Sequence, residues 1–145
     1  MAEALADPDG QWMWSSNSSK VQQLLARLTE AADSDACVLI TGENGTGKGV
    51  VAERLHQLSS RRLGPLVTVD TTLFPKELLE AELFGIVPKF LPGVVAKEGL
   101  VHSAARGTIF FDEIGDMALE LQPKLLRFVQ HRLFRRVGAT RDEKV

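Results

Sequence analysis

Apolar positions recur along this chain with two different periods. Val21, Leu24, Leu25, Leu28 and Ala31/Ala32 fall on one helical face, behind Ser18 or Ser19 as a capping residue and ahead of the stop at Asp33-Ser34-Asp35. The apolar run Cys37 to Ile40 predicts a first, central strand over Cys37 to Thr41, with Cys37 as a small buried hydrophobe. Val50, Val51, Arg54, Leu55 and Leu58 predict a second amphipathic helix, placing His56 on its more polar side as a surface residue. After Gly64-Pro65, the β-branched stretch Leu66 to Asp70 predicts a second strand. Pro75 then opens a helix through Leu78, Leu79, Leu83 and Phe84 that ends around Gly85.

Ile86 to Gly99 breaks this regularity with Pro88, Pro92, Gly93 and Gly99, and reads as a loop or broken hairpin carrying Phe90 and Leu91. Gly107 to Glu113 is a short apolar strand ending in two carboxylates. Leu121, Leu125, Leu126, Phe128 and Val129 mark a further helix, with Pro123 tolerated in its first turn. Leu133-Phe134 and Val137-Gly138 predict a final short strand and turn. Strands alternating with helices predict an α/β fold, a three-layer α/β/α arrangement around a mainly parallel sheet. Met1 to Asn17 reads as an N-terminal arm, with Trp12-Met13-Trp14 covering an apolar edge, and residues 18–145 as the folded domain.

One junction in this pattern carries chemistry. Gly42, Glu43, Asn44, Gly45, Thr46, Gly47, Lys48 and Gly49 lie between the first predicted strand and the second helix. Strand, glycine-rich loop, lysine and helix in that order describe a phosphate-binding loop. Its glycines let successive N–H groups turn towards an anion, and the helix N-terminus adds partial positive charge. Lys48 reaches β- and γ-phosphates as a point charge in such a loop. The plain alternative is an ordinary glycine-rich turn. Downstream, Asp112 is placed to hold Mg²⁺ and Glu113 to polarise a water, with Asp70 a further candidate carboxylate at the end of its own strand. His56 and His102 have no spaced metal partner and receive no catalytic role.

Composition changes this picture little. The 145 residues are 44% hydrophobic and 25% charged, ordinary for a globular domain, and the net charge of −2 gives no global field for nucleic acid. From Glu120 to Val145, seven Lys/Arg face three Asp/Glu. This local excess reads as a solvated helix face and strand edge, with a partner surface as the alternative. Cys37 is the single cysteine, which excludes an internal disulfide and any cysteine-cluster metal site, and fits a reducing cytoplasmic setting. No apolar run approaches the roughly 18 residues of a membrane span, and the acidic N-terminus lacks the layout of a secretion signal.

The blocks VLITGENGTGKGVVAERLHQLS, PLVTVD, LLEAELFG, GTIFFDEIGDMALELQPKLLRFVQ and FRRVG, in that order, closely resemble the AAA+ ATPase domain of bacterial sigma-54-dependent transcriptional activators, the NtrC-like enhancer-binding family. The resemblance runs from about Ser18 to Gly138. It implies a P-loop NTPase core with Gly42 to Lys48 as Walker A and Ile109 to Glu113 as Walker B. It further implies ATP/ADP and Mg²⁺ as ligands, with Asp112 on the metal, Glu113 preparing the hydrolytic water, and Lys48 on the phosphates. In this family ATP turnover in a ring, commonly a hexamer, remodels the sigma-54 RNA polymerase complex. DNA is bound through a separate helix-turn-helix domain, and a sensory or receiver domain, as in two-component response regulators, often precedes the ATPase.

Four departures qualify what the resemblance implies. Gly49 follows the loop lysine, so no hydroxyl there can reach Mg²⁺. Asp70 stands where the family has an asparagine that holds the catalytic glutamate, and an ionised carboxylate cannot donate to Glu113. Ile86 to Val94 replaces the family's GAFTGA loop; Phe90 and Gly93 echo it, Pro88 and Pro92 stiffen it, and normal sigma-54 contact is not expected. The family's sensor region, arginine fingers and helical lid lie beyond Val145. The leading expectation is therefore an ATP-binding core whose hydrolysis needs a complete, ring-forming parent. The alternatives are a non-catalytic interaction module that associates with an AAA+ partner or transcription factor, and an unrelated small P-loop enzyme.

Overall fold

The computed structural model describes residues 15, 17–88, 90 and 92–145, without the side chains of residues 76 and 77. Trp12, Met13 and Trp14 lie outside the described residues. The chain divides into two compact units, one up to Arg62 and one from Leu63.

In the first unit, helices α1 (Ser19–Ala32) and α2 (Lys48–Leu58) pack on one another. Leu28 and Ala32 of α1 and Val51 of α2 are buried, positions expected from helical spacing, and Ala52 is buried with them. Ser18 is the N-cap by position, but no serine side chain caps α1; the Ser18 carbonyl accepts from the Gln22 N–H instead. Asp33 closes the helix, its N–H donating to the Ala31 carbonyl.

Further expectations fail in this unit. His56 is buried at 8% exposure, because α2 turns that face inward along with Val51 and Ala52. Cys37 to Thr41 forms no strand, Cys37 is exposed, and Leu39 is 75% exposed. An apolar run signals a strand only where neighbouring strands take up its N–H and C=O groups. Among the described residues no ladder includes this segment.

The second unit is built on a parallel pair. Strand β1 (Leu66–Asp70) runs beside β4 (Thr108–Asp112), in register from Leu66 opposite Thr108 to Asp70 opposite Asp112. Parallel neighbours require a long crossover. Here it comprises α3 (Lys76–Phe84), a hairpin of β2 (Gly85–Ile86) with β3 (Lys97–Glu98), and the short α4 (Leu100–Ser103). A one-turn 3₁₀ helix (Ile114–Asp116), α5 (Gln122–His131), and an antiparallel pair of β5 (Leu133–Phe134) with β6 (Glu143–Lys144) complete it.

Pro75 precedes α3, and its carbonyl accepts from Leu78 and Leu79 N–H; Pro123 sits in the first turn of α5, where its missing N–H costs nothing. The core gathers Val69, Leu79, Leu83, Phe84, Val101, Met117, Leu121, Leu125, Phe128 and Phe134. Within it the Phe84 and Phe134 rings stack at 6.1 Å. The architecture is thus the mixed α/β core, with its main pairing parallel, that the alternation predicts.

The proline- and glycine-rich stretch after α3 does form a hairpin, paired at its base. Val137 bridges to Ile86, its N–H donating to the Gly85 carbonyl at 2.8 Å, while the Val87 N–H donates back to Val137 at 3.1 Å. The basic C-terminal stretch is largely exposed, as a solvated face, and carries ion pairs. Arg127 and Arg135 share the Asp142 carboxylate, Arg136 pairs with Glu143 and Lys124 with Glu80. No helix among the described residues is long and apolar enough to cross a membrane.

Candidate functional site

The glycine-rich loop has the backbone its sequence requires. Gly45 and Gly47 have φ of 79° and 89°, the left-handed region that only glycine enters freely. Between them Thr46 closes a turn, its N–H and hydroxyl both donating to the Glu43 carbonyl at 3.3 and 2.7 Å. Gly47 is the N-cap of α2, and the first helical bond is from the Val51 N–H to the Gly47 carbonyl at 3.1 Å. The loop therefore leads straight into the positive end of an 11-residue helix.

Lys48 arches back over this loop. Its Nζ lies 3.4 Å from the Gly42 carbonyl, 3.3 Å from that of Glu43 and 3.4 Å from Asn44 Oδ1. These are long contacts, of the kind an ammonium exchanges readily for a stronger acceptor. A lysine charge, oriented amides and a helix N-terminus converging on an exposed glycine loop fit a polyphosphate. Open space beside Gly49 confirms that no side chain crowds the helix start there.

The carboxylates occupy the C-terminal end of the parallel pair in the second unit. Asp70 and Asp112 are register partners, and Glu113 follows directly. Asp70 Oδ1 accepts from the Thr72 hydroxyl at 2.6 Å and from the Thr72 N–H at 2.9 Å. The hydroxyl first, and then the amide, hold the Asp70 carboxyl below the usual carboxylate range. Asp112 Oδ1 accepts from the Glu113 N–H at 3.0 Å. Among the described residues no three His, Cys, Asp or Glu side chains converge to hold a metal ion. Mg²⁺ does not need such a cage, because it retains several waters and takes one or two carboxylates beside phosphate oxygens. Asp112 fits that requirement.

Glu113 has a left-handed backbone, φ 50° and ψ 41°, which costs a non-glycine residue on the order of 1 kcal/mol. Three hydrogen bonds hold it there. Its N–H donates to Asp112, and its carbonyl accepts from the Asp116 N–H at 3.0 Å and from the Thr71 hydroxyl at 2.7 Å. Thr71 is buried at 5% exposure, and its N–H extends the strand pairing to the Asp112 carbonyl at 3.3 Å. Thr71 and Thr72 were not among the residues singled out from sequence. The signal available for Thr72 was an aspartate two residues before a threonine, which favours a side-chain-closed turn.

Comparison with known proteins places these features in a family. A family profile described as the Sigma-54 interaction domain matches residues 14–145. The transcriptional regulator VasH of Vibrio cholerae is 44% identical over 126 residues, covering 86% of this chain and 24% of that protein. The DNA-binding transcriptional activator HyfR of Escherichia coli is 47% identical, covering 86% of this chain and 19% of that protein. The sigma-54-dependent activator SfnR of Pseudomonas putida is 49% identical, covering 83% and 33% respectively. The chain thus spans a third or less of the length of these curated relatives. Among solved structures, NtrX from Brucella abortus in complex with ATP superposes with a TM-score of 0.80 at 36% identity, covering 90% of this chain and 28% of that one. NtrX in complex with ADP gives a TM-score of 0.81. On these matches the chain belongs to the sigma-54 interaction domain family, related to NtrC-like transcriptional activators.

Proposed function

We propose that this chain binds ATP or ADP with Mg²⁺ and serves as the nucleotide-responsive core of a sigma-54-dependent transcriptional regulator in the bacterial cytoplasm. The observation that carries this is the loop itself: Gly45 and Gly47 in left-handed conformation at the start of a helix, and Lys48 arched over them. The ATP- and ADP-bound NtrX structures support it. Lys48 and the loop amides stabilise charge on the β- and γ-phosphates. Glu113 orients the attacking water for cleavage of the β–γ bond, and Asp112 holds the metal. Mg²⁺, when bound, neutralises phosphate charge and supplies Lewis acidity. Asp70 makes no amide donation to Glu113; its ionised carboxylate is engaged by Thr72.

Hydrolysis belongs to a ring of copies, where neighbouring subunits finish each other's sites. A contact with sigma-54 through the Ile86–Gly99 hairpin differs from the family pattern, since its sequence does. The second reading, a regulatory module that binds nucleotide or a partner without turnover, is favoured by one observation, the carboxylate at residue 70 in place of an amide.

Calorimetric titration of the folded chain with ATP and ADP in Mg²⁺ tests the leading reading, with Lys48→Ala as control. Saturable binding that the variant loses supports it. No binding by folded wild-type protein removes it and leaves the interaction module.

A further inference from the structure

We propose that Thr71 is the positioning residue for Glu113. The inference starts from a division of labour between two adjacent threonines. Thr72 is exposed and occupies the carboxylate of Asp70, so residue 70 is committed to its own turn. Thr71 is buried and reaches across the parallel pair to the opposite strand end. Its single hydroxyl proton has two carbonyls in range, Glu113 at 2.7 Å and Asp112 at 3.2 Å, and the shorter contact takes the hydrogen.

That bond bears on the one backbone in the acidic end that resists its own conformation. Glu113 is left-handed without being glycine, so it stays there only while its surroundings hold it. The Asp116 N–H and the Asp112 carboxylate are local restraints, from residues that move with Glu113. Thr71 alone among these three restraints comes from the neighbouring strand. It therefore ties the Glu113 backbone to the sheet frame, and with it the point from which the glutamate side chain leaves. The catalytic consequence rests on the nucleotide reading above; the structural link between Thr71 and Glu113 stands apart from it.

Thr71→Val keeps the buried volume and removes the hydroxyl, and the Glu113 carbonyl retains the Asp116 donor, so the variant folds without an orphaned acceptor. Thr71→Ser keeps the hydroxyl and loses a methyl. Backbone chemical shifts of Glu113, read by NMR on the full chain, report its left-handed conformation directly. The result expected is that Thr71→Val shifts Glu113 away from that region while Thr71→Ser retains it, with ATP and ADP affinities unchanged in both. Where wild-type protein turns ATP over, Thr71→Val lowers kcat between about tenfold and a hundredfold at unchanged KM, and Thr71→Ser restores it. Unaltered Glu113 shifts in Thr71→Val overturn the proposal. So does equal loss in both variants, which makes Thr71 a packing residue only. If wild-type protein binds no nucleotide, the nucleotide reading fails while the shifts still decide the link.

Discussion

The ring of Phe90 lies where a side chain on Gly138 would have to be. A β-carbon built on Gly138 runs into three atoms of that ring, and Gly138 itself has φ of 81°. The hairpin after α3 is thus fastened at two levels. Val137 holds its base through two backbone hydrogen bonds, and Phe90 rests on the residue that follows. The hairpin is anchored to Val137 and Gly138 behind it.

Gly138→Ala therefore has two costs, a strained backbone and a displaced ring. It should destabilise the folded chain by about 1–3 kcal/mol in denaturant unfolding and speed protease cleavage between Ile86 and Gly99. In a Phe90→Ala background the same change should cost less, because only the backbone strain remains. Equal costs in both backgrounds would mean that the ring does not hold the loop.

Asp142 makes stability depend on acid. Hydrogen bonds from Arg127 and then Arg135 hold its carboxyl below the usual range. A carboxyl with a depressed folded-state value stabilises the fold above the ordinary value of about 3.9, and that contribution is lost as pH falls from there through the lowered value. Wild-type protein should therefore exceed Asp142→Asn in thermal midpoint at pH 6, and the gap should close below about pH 4. A gap that stays constant down to pH 2.5 would show that Asp142 acts through packing instead.

The same logic separates the two donors on Asp70. The Thr72 hydroxyl is the larger cause of its lowered value and the Thr72 amide the smaller. In an NMR titration, Thr72→Val should raise the Asp70 midpoint towards the ordinary carboxylate value without fully restoring it, since the amide remains. No movement would assign the depression to some other group. Above the ordinary value the ionised Asp70 favours the turn at Thr71-Thr72, and acid loosens that turn.

The parts of this protein that were legible in its sequence are those set by local physics. Helical spacing at Leu28 and Ala32, or at Leu125 and Phe128, follows from residues a turn apart, and those positions are buried as read. The β-branched run Leu66 to Asp70 and the acidic-ended strand to Asp112 likewise announce themselves, as do Gly45, Gly47 and Lys48. What escaped depends on distant neighbours. Whether Cys37 to Thr41 becomes a strand is decided by what pairs with it, and whether His56 is buried by which face α2 turns inward. Thr71 is the sharpest case. Nothing in a threonine's immediate sequence tells that its hydroxyl meets a carbonyl 42 residues further on.

That distance also governs the order in which the molecule assembles. The β1–β4 pairing joins segments about forty residues apart, and bringing them together loses chain entropy before any contact across them is gained. Helix α3 and the hairpin behind it close over short separations and have no such delay. The acidic end is then expected to form late in folding, after the crossover has collapsed onto the pair. A variant that slows this closure, while leaving the finished pair intact, delays the appearance of the Thr71–Glu113 link during refolding without changing its final geometry.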